Sequence, residues 1–225
     1  LRAILGSSFG CAGQRCMAGY VLIGVGQRTA DQSRARVREA LVGIPNDAPP
    51  APALTSMGPV IDGAAQARIE GVVTAAPMAG AEIAGRGGAG PGGRGFFVAP
   101  TLLDRVQPTT TVFQDEIFGP VLSLVRPASL DEAIATMNRL SYGNGATIFT
   151  SSGAAARQFV REIQCGMLGV NVGVPAPTAL FSFSGWNASF YGDLHVQGHE
   201  GVMFYTRQRV VLSRWDKGYV RAQGW

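Results

Sequence analysis

An α/β domain is predicted for this chain of 225 residues from its short β-branched apolar runs, the amphipathic segments between them and its 31 glycines. Strands alternating with helices imply parallel pairing through crossovers, and so many glycines suit turns and close backbone approaches. Hydrophobic residues make up 46% and charged residues 15% of the sequence. No apolar run approaches the ~18 residues that a membrane span requires, so a soluble globular protein is expected and a membrane partner is not. The net charge of +4 comes from 19 basic and 15 acidic residues scattered along the chain. Without a basic block interleaved with aromatics, nucleic acid is not an expected partner.

The elements are read in chain order. Residues 1–10 read as the end of a helix, and Tyr20–Val25 as a buried strand. Thr29–Val42 has helical spacing, with Thr29 or Asp31 as a cap, and 45–59 is a Pro/Ala loop. Gly63–Ala76 is a second helix with Ile69, Val72 and Val73 on its apolar face. Ala81–Ala84, Phe96–Ala99 and Thr101–Leu103 are strand-like. Strand and helix then alternate through Val121–Val125, Leu130–Leu140, Ala146–Thr150, Ala154–Ile163 and Met167–Val172. Thr206–Trp215 is a last strand candidate, suited to a sheet edge or a subunit contact. No internal repeat is evident.

Cys11, Cys16 and Cys165 cannot all pair, and nothing suggests a disulfide framework. A reducing compartment is expected, the cytoplasm in a bacterium or the mitochondrial matrix in a eukaryote. The start Leu1–Gly6 has no signal-peptide pattern, although a sequence that begins without Met says little about a leader. Cys16 sits in a glycine-flanked turn beside Arg15. A nucleophilic thiol must be a thiolate, which needs local positive potential and partial exposure. On residue chemistry alone, a cysteine in a turn is more often structural.

The run from Phe9 through Gly13-Gln14-Arg15 to Cys16 resembles the active-site signature of the aldehyde dehydrogenase superfamily. Met57–Ile61, Gly95–Thr101, Asp115–Val121, Tyr142–Gly145 and Gly169–Asn171 match the family in order and spacing, so the likeness extends over residues 1–215. The segments Gly13–Ala18, Tyr142–Gly145, Phe181–Gly185, Ser189–Asp193 and Phe204–Thr206 resemble the CoA-acylating methylmalonate- and malonate-semialdehyde dehydrogenases in particular.

The resemblance implies a three-layer α/β catalytic domain over residues 1–190. It also implies a carboxy-terminal helix, oligomerisation strand and tail over 191–225, with the cofactor domain not included. It implies NAD as cofactor, coenzyme A as co-substrate, a carboxylated semialdehyde as substrate and a homo-oligomer as the full-length form. Cys16 would be the nucleophile, Asn171 a catalytic brace, and Arg15 the grip on the substrate carboxylate. Gln14, Phe181 and Phe183 would bind substrate; Glu116 would accept hydrogen bonds from ribose hydroxyls, with Phe118 near the nicotinamide. Only fifteen residues precede Cys16, so the chain alone is not expected to turn over.

Three other readings stand beside this one. A generic hydrolytic NAD(P)-dependent aldehyde dehydrogenase would differ in its acyl acceptor. A non-enzymatic remnant would assemble through Thr206–Trp215, and a thiol hydrolase would pair Cys16 with His195. Gly85-Arg-Gly-Gly-Ala-Gly90 has the spacing of a dinucleotide fingerprint, but the Pro91-Gly-Gly-Arg-Gly95 that follows cannot open a helix, so an exposed hairpin loop is expected. His195 and His199 stand four apart without a carboxylate at a metal-site spacing, and no metal is expected.

Overall fold

A computed structural model describes residues 1–46, 57–91, 95–215 and 218. Its main sheet is built from β1 (Val21–Ile23), β2 (Glu82–Arg86), β3 (Thr101–Asp104) and β4 (Val121–Val125), in the order β1-β4-β3-β2. β1 and β3 run parallel to β4, whereas β2 is antiparallel to β3. Every residue of β3 and β4 is buried, which is why their apolar runs do not alternate. β1 lies at the sheet's edge and is half-buried along its length, less enclosed than the sequence predicted.

Helices α1 (Arg2–Phe9), α2 (Gln27–Val42) and α3 (Gly63–Ala75) contribute Phe9, Val37, Leu41, Ile69 and Val73 to one core with the sheet. α3 is capped by Asp62, whose Oδ1 accepts from the Ala65 N–H at 2.7 Å. α2 starts at Gly26 without a side-chain cap, so neither Thr29 nor Asp31 caps it; Asp31 faces Arg126 instead. After the short helix α4 (Thr111–Gln114), a second layer forms from α5 (Leu130–Met137), β5 (Tyr142–Gly143), β6 (Gly145–Ile148), α6 (Gly153–Glu162) and β7 (Met167–Val170). Its small core joins Ile134, Phe159, Ile163 and Cys165 beside the parallel β6–β7 pair. β8 (Trp186–Asn187) pairs antiparallel with β5, and α7 (Gly198–Phe204) closes the described fold. Among the described residues no helix is long and apolar enough to cross a membrane.

Phe96–Ala99 is extended but joins no ladder. Its carbonyls accept instead from Val60 N–H, Gln66 Nε2 and Asn46 Nδ2. The segment after Gly85 leads from β2 into antiparallel β3, as a hairpin connection does, although residues 92–94 lie outside the described ones. Most of the Pro/Ala loop, residues 47–56, lies outside them too. Thr206–Trp215 forms no strand. Val210, Val211 and Leu212 are exposed, the last at 99%, and among the described residues no neighbouring strand takes up the backbone hydrogen bonds that a β-conformation needs. Phe183 pairs with Val196, and Gly198 N–H donates to the Ala179 carbonyl.

One ionic cluster fastens α2 to the sheet. Asp104, at the end of β3 with its side chain 1% exposed, accepts from Arg126 Nε at 2.7 Å and Nη2 at 2.8 Å, and Arg34 Nε lies 2.9 Å away. Burial alone would raise the Asp104 pKa. The Arg126 bonds, the Arg105 N–H and the charge of Arg34 outweigh it and hold the carboxyl below its ordinary range. The resulting stabilisation is complete above the ordinary carboxylate pKa and is lost as pH falls through the lower folded value. Asp104→Asn should therefore cost about 3–5 kcal/mol in urea unfolding at neutral pH. The thermal midpoint of the variant should also fall less than that of the parent below pH ~4.

Candidate functional site

The chain leaves α1 through three successive left-handed residues: Cys11 (φ 55°, ψ 35°), Ala12 (φ 54°, ψ 30°) and Gly13 (φ 68°). Each non-glycine residue in this region costs about 1–2 kcal/mol, so the turn persists only where packing enforces it. Ala12 is buried, and the Gln14 N–H donates to the Cys11 carbonyl at 3.0 Å. Gly13 lies so close to Gly119 that a Cβ would overlap the Gly119 carbonyl oxygen, while a Cβ on Gly119 would meet Ile69 of α3 at 2.5 Å. Two glycines thus let the segment after α1, the loop before β4 and α3 close on one another.

The Gln14 side chain ties the same parts together. Its Oε1 accepts from the Ile61 N–H at 2.9 Å and its Nε2 donates to the Phe118 carbonyl at 3.3 Å. Both ends of the amide are engaged by backbone. Arg15 turns back to the end of α1, where Nη2 donates to the Gly6 carbonyl at 2.6 Å and the Ser7 carbonyl at 3.0 Å. A cation on the last carbonyls of a helix complements the dipole. In this arrangement the guanidinium is directed to α1.

Cys16 follows in an exposed turn closed by the Ala18 N–H to the Arg15 carbonyl at 3.0 Å. The turn is held from the second layer by Asn144, whose Nδ2 donates to the Cys16 carbonyl at 2.9 Å and lies 3.3 Å from Met17 Sδ. No role was expected of Asn144, although it stands in the Tyr142–Gly145 motif. The signal lay in an amide between two glycines, one of which, Gly145, has Met17 Cε 2.9 Å from where a Cβ would stand.

Glu116 and Phe118 are exposed on either side of Ile117, which is 2% exposed, so they share the open side of the loop that Gln14 fastens. Tyr20 lies close to this loop: burial first, then the charge of Glu116, pushes its hydroxyl up to about 12, so it stays protonated. Asn171 adopts φ 59°; its Oδ1 accepts from the Thr150 N–H at 2.9 Å and its Nδ2 donates to the Thr150 carbonyl at 3.0 Å. That closed pair braces the ends of β6 and β7. Phe181 is 68% exposed and Phe183 half-buried, both beyond β7 and before β8.

The aldehyde dehydrogenase family model matches residues 1–211. The chain belongs to the aldehyde dehydrogenase family. Malonate-semialdehyde dehydrogenase 3 of Bacillus cereus is 47% identical over 96% of this aldehyde dehydrogenase chain. The structure of methylmalonate-semialdehyde dehydrogenase from Oceanimonas doudoroffii aligns with a TM-score of 0.88 at 37% identity. A Sinorhizobium meliloti 1021 protein to which the same activity is ascribed, solved in complex with NAD, aligns at 0.90 and 37%. Both structures cover 96% of the chain. The chain spans 44% of the length of the Bacillus relative and 45% of each of the two structures.

The three thiols of this family member differ sharply. Cys11 and Cys16 are exposed, whereas burial in the second core pushes Cys165 up to about 11. With iodoacetamide near pH 8, mass mapping should find label on Cys11 and Cys16 and almost none on Cys165. Labelling of Cys165 in the folded chain should keep rising toward pH 11, because only the thiolate reacts.

Proposed function

We propose that this chain is the thiol-bearing part of an NAD- and CoA-dependent malonate- or methylmalonate-semialdehyde dehydrogenase. The observation that carries this reading is the exposure of Cys16 on a turn whose neighbours Gly13, Gln14, Arg15 and Asn144 are all tied down. A nucleophile held in this way meets its substrate without reorganising its surroundings. The names of the relatives support the semialdehyde substrate.

Cys16 adds as thiolate to the aldehyde carbon, and the carbonyl electrons move onto oxygen. The Cys16 backbone N–H would donate to the oxyanion that forms. Glu116 and Phe118 fit a nucleotide cofactor: an exposed carboxylate able to accept from ribose hydroxyls stands two residues from an aromatic face, on a loop fixed to the cysteine turn. NAD, when bound, supplies the hydride acceptor that turns the adduct into a thioester. The acyl group, with loss of carbon dioxide, then passes from Cys16 sulfur to the CoA thiol. Phe181 and Phe183 are proposed as apolar walls for the acyl chain. The exposed apolar row Val210–Leu212 favours pairing of residues 206–215 with a second copy, which would supply the missing strand partner.

Joined to the remaining part of the Bacillus relative, the chain should form NADH from malonate semialdehyde, and acetyl-CoA when CoA is added. Cys16→Ala should lower turnover at least about 10⁴-fold. Undiminished turnover in that variant would contradict the role of Cys16, and an acid product indifferent to CoA would contradict the acyl acceptor.

A further inference from the structure

His195 lies outside the Cys16 machinery, yet it is held more firmly than a surface histidine needs to be. Its ring stacks on Phe190 with centroids 4.1 Å apart and planes 27° from parallel. Its backbone N–H and its Nδ1 both stand 2.7 Å from Oε2 of Glu200, in the first turn of α7. On the far side of the ring, Nε2 stands 3.3 Å from Ser184 Oγ. The spacing is set by backbone: Phe183 N–H donates to the Val196 carbonyl at 2.8 Å, so the residues next to Ser184 and His195 form a bridge.

The order of protons in this row follows from the groups themselves. The His195 N–H, then its ring, hold the Glu200 carboxyl below the usual glutamate range, so it is ionised and can only accept. The proton between Glu200 and His195 therefore sits on Nδ1, which leaves Nε2 as the ring nitrogen that faces Ser184. Ser184 Oγ is thereby placed to give its proton to a ring whose orientation a carboxylate fixes. The His195–Glu200 pair alone would fasten α7; it does not need a half-buried hydroxyl at the other ring nitrogen.

We propose that Ser184 is a second nucleophile of this chain, with His195 as its base and Glu200 orienting the ring, and that it reacts with activated esters of apolar acids. Ser, His and carboxylate in this arrangement are recognised by geometry and not by position in the sequence. Ser184 Oγ gives its proton to His195 Nε2 and forms a bond to the acyl carbon; the ester C–O bond breaks, and the departing alcohol takes the proton from Nε2. Water then releases the acid by the same path in reverse. Phe190, stacked on the ring, gives the acyl group an apolar surface. The proposal is independent of Cys16, which is tied to another part of the second layer through Asn144.

The test treats the full chain with an alkyl fluorophosphonate and maps adducts by mass. Ser184 should be the main site, and His195→Gln or Glu200→Gln should slow its labelling by about 100-fold or more, the contribution typical of a positioned base. Ser151→Ala, at an exposed residue ahead of α6, should leave the rate unchanged. Adducts spread at similar rates over Ser182, Ser184 and Ser189 would overturn the proposal, as would a Ser184 rate indifferent to His195→Gln. Protection of Cys165 from iodoacetamide reports that each variant is folded. In guanidinium the parent chain should lose all preference for Ser184, and a preference that survives unfolding would overturn the proposal too.

Discussion

Gly13 and Gly119 meet backbone to backbone at the point where the left-handed turn after α1, the loop before β4 and α3 all converge. Neither position has room for a methyl group, and Cys11 and Ala12 hold a conformation that the chain avoids unless it is enforced. The close approach allows the Gln14 amide to reach both Ile61 and Phe118, and it leaves Cys16 at the surface on a turn anchored at both ends. The strain of the turn and the exposure of the thiol are two consequences of one contact.

The sheet gives this contact a rigid frame. β3 and β4 are buried throughout, and the Asp104 cluster fastens α2 at their ends, so the loop carrying Glu116 to Gly119 enters β4 from a fixed point. The second layer adds one link of its own, from Asn144 to the Cys16 carbonyl. That amide stands directly after β5, which pairs with β8, and β8 begins two residues after Ser184. The thiol and the Ser184–His195–Glu200 row therefore hang on the same small sheet while remaining chemically separate.

Much of this was legible in the sequence. The continuous apolar runs of β3 and β4, the periodic face of α3 and the strand–helix alternation after residue 121 each reflect burial, which hydrophobic spacing reports directly. The directions of the polar side chains were not legible. Residue type shows that Gln14, Arg15 and Asn171 can donate or accept, but each found its partner on backbone, in the case of Gln14 and Phe118 across 104 residues of sequence. Backbone acceptors leave no trace in residue identity. Thr206–Trp215 has the alternation of a strand, but a strand also needs an edge to pair with, and none stands beside it among the described residues.

If the Gly13–Gly119 contact holds the site together, the two positions must be energetically coupled. A double-mutant cycle of Gly13→Ala and Gly119→Ala, followed by urea unfolding, measures that coupling. Once one methyl has forced the loops apart, the second should cost less, so the pair should fall short of the summed single losses by at least about 1 kcal/mol. Losses that add within about 0.5 kcal/mol would show the two glycines acting independently and would contradict the account.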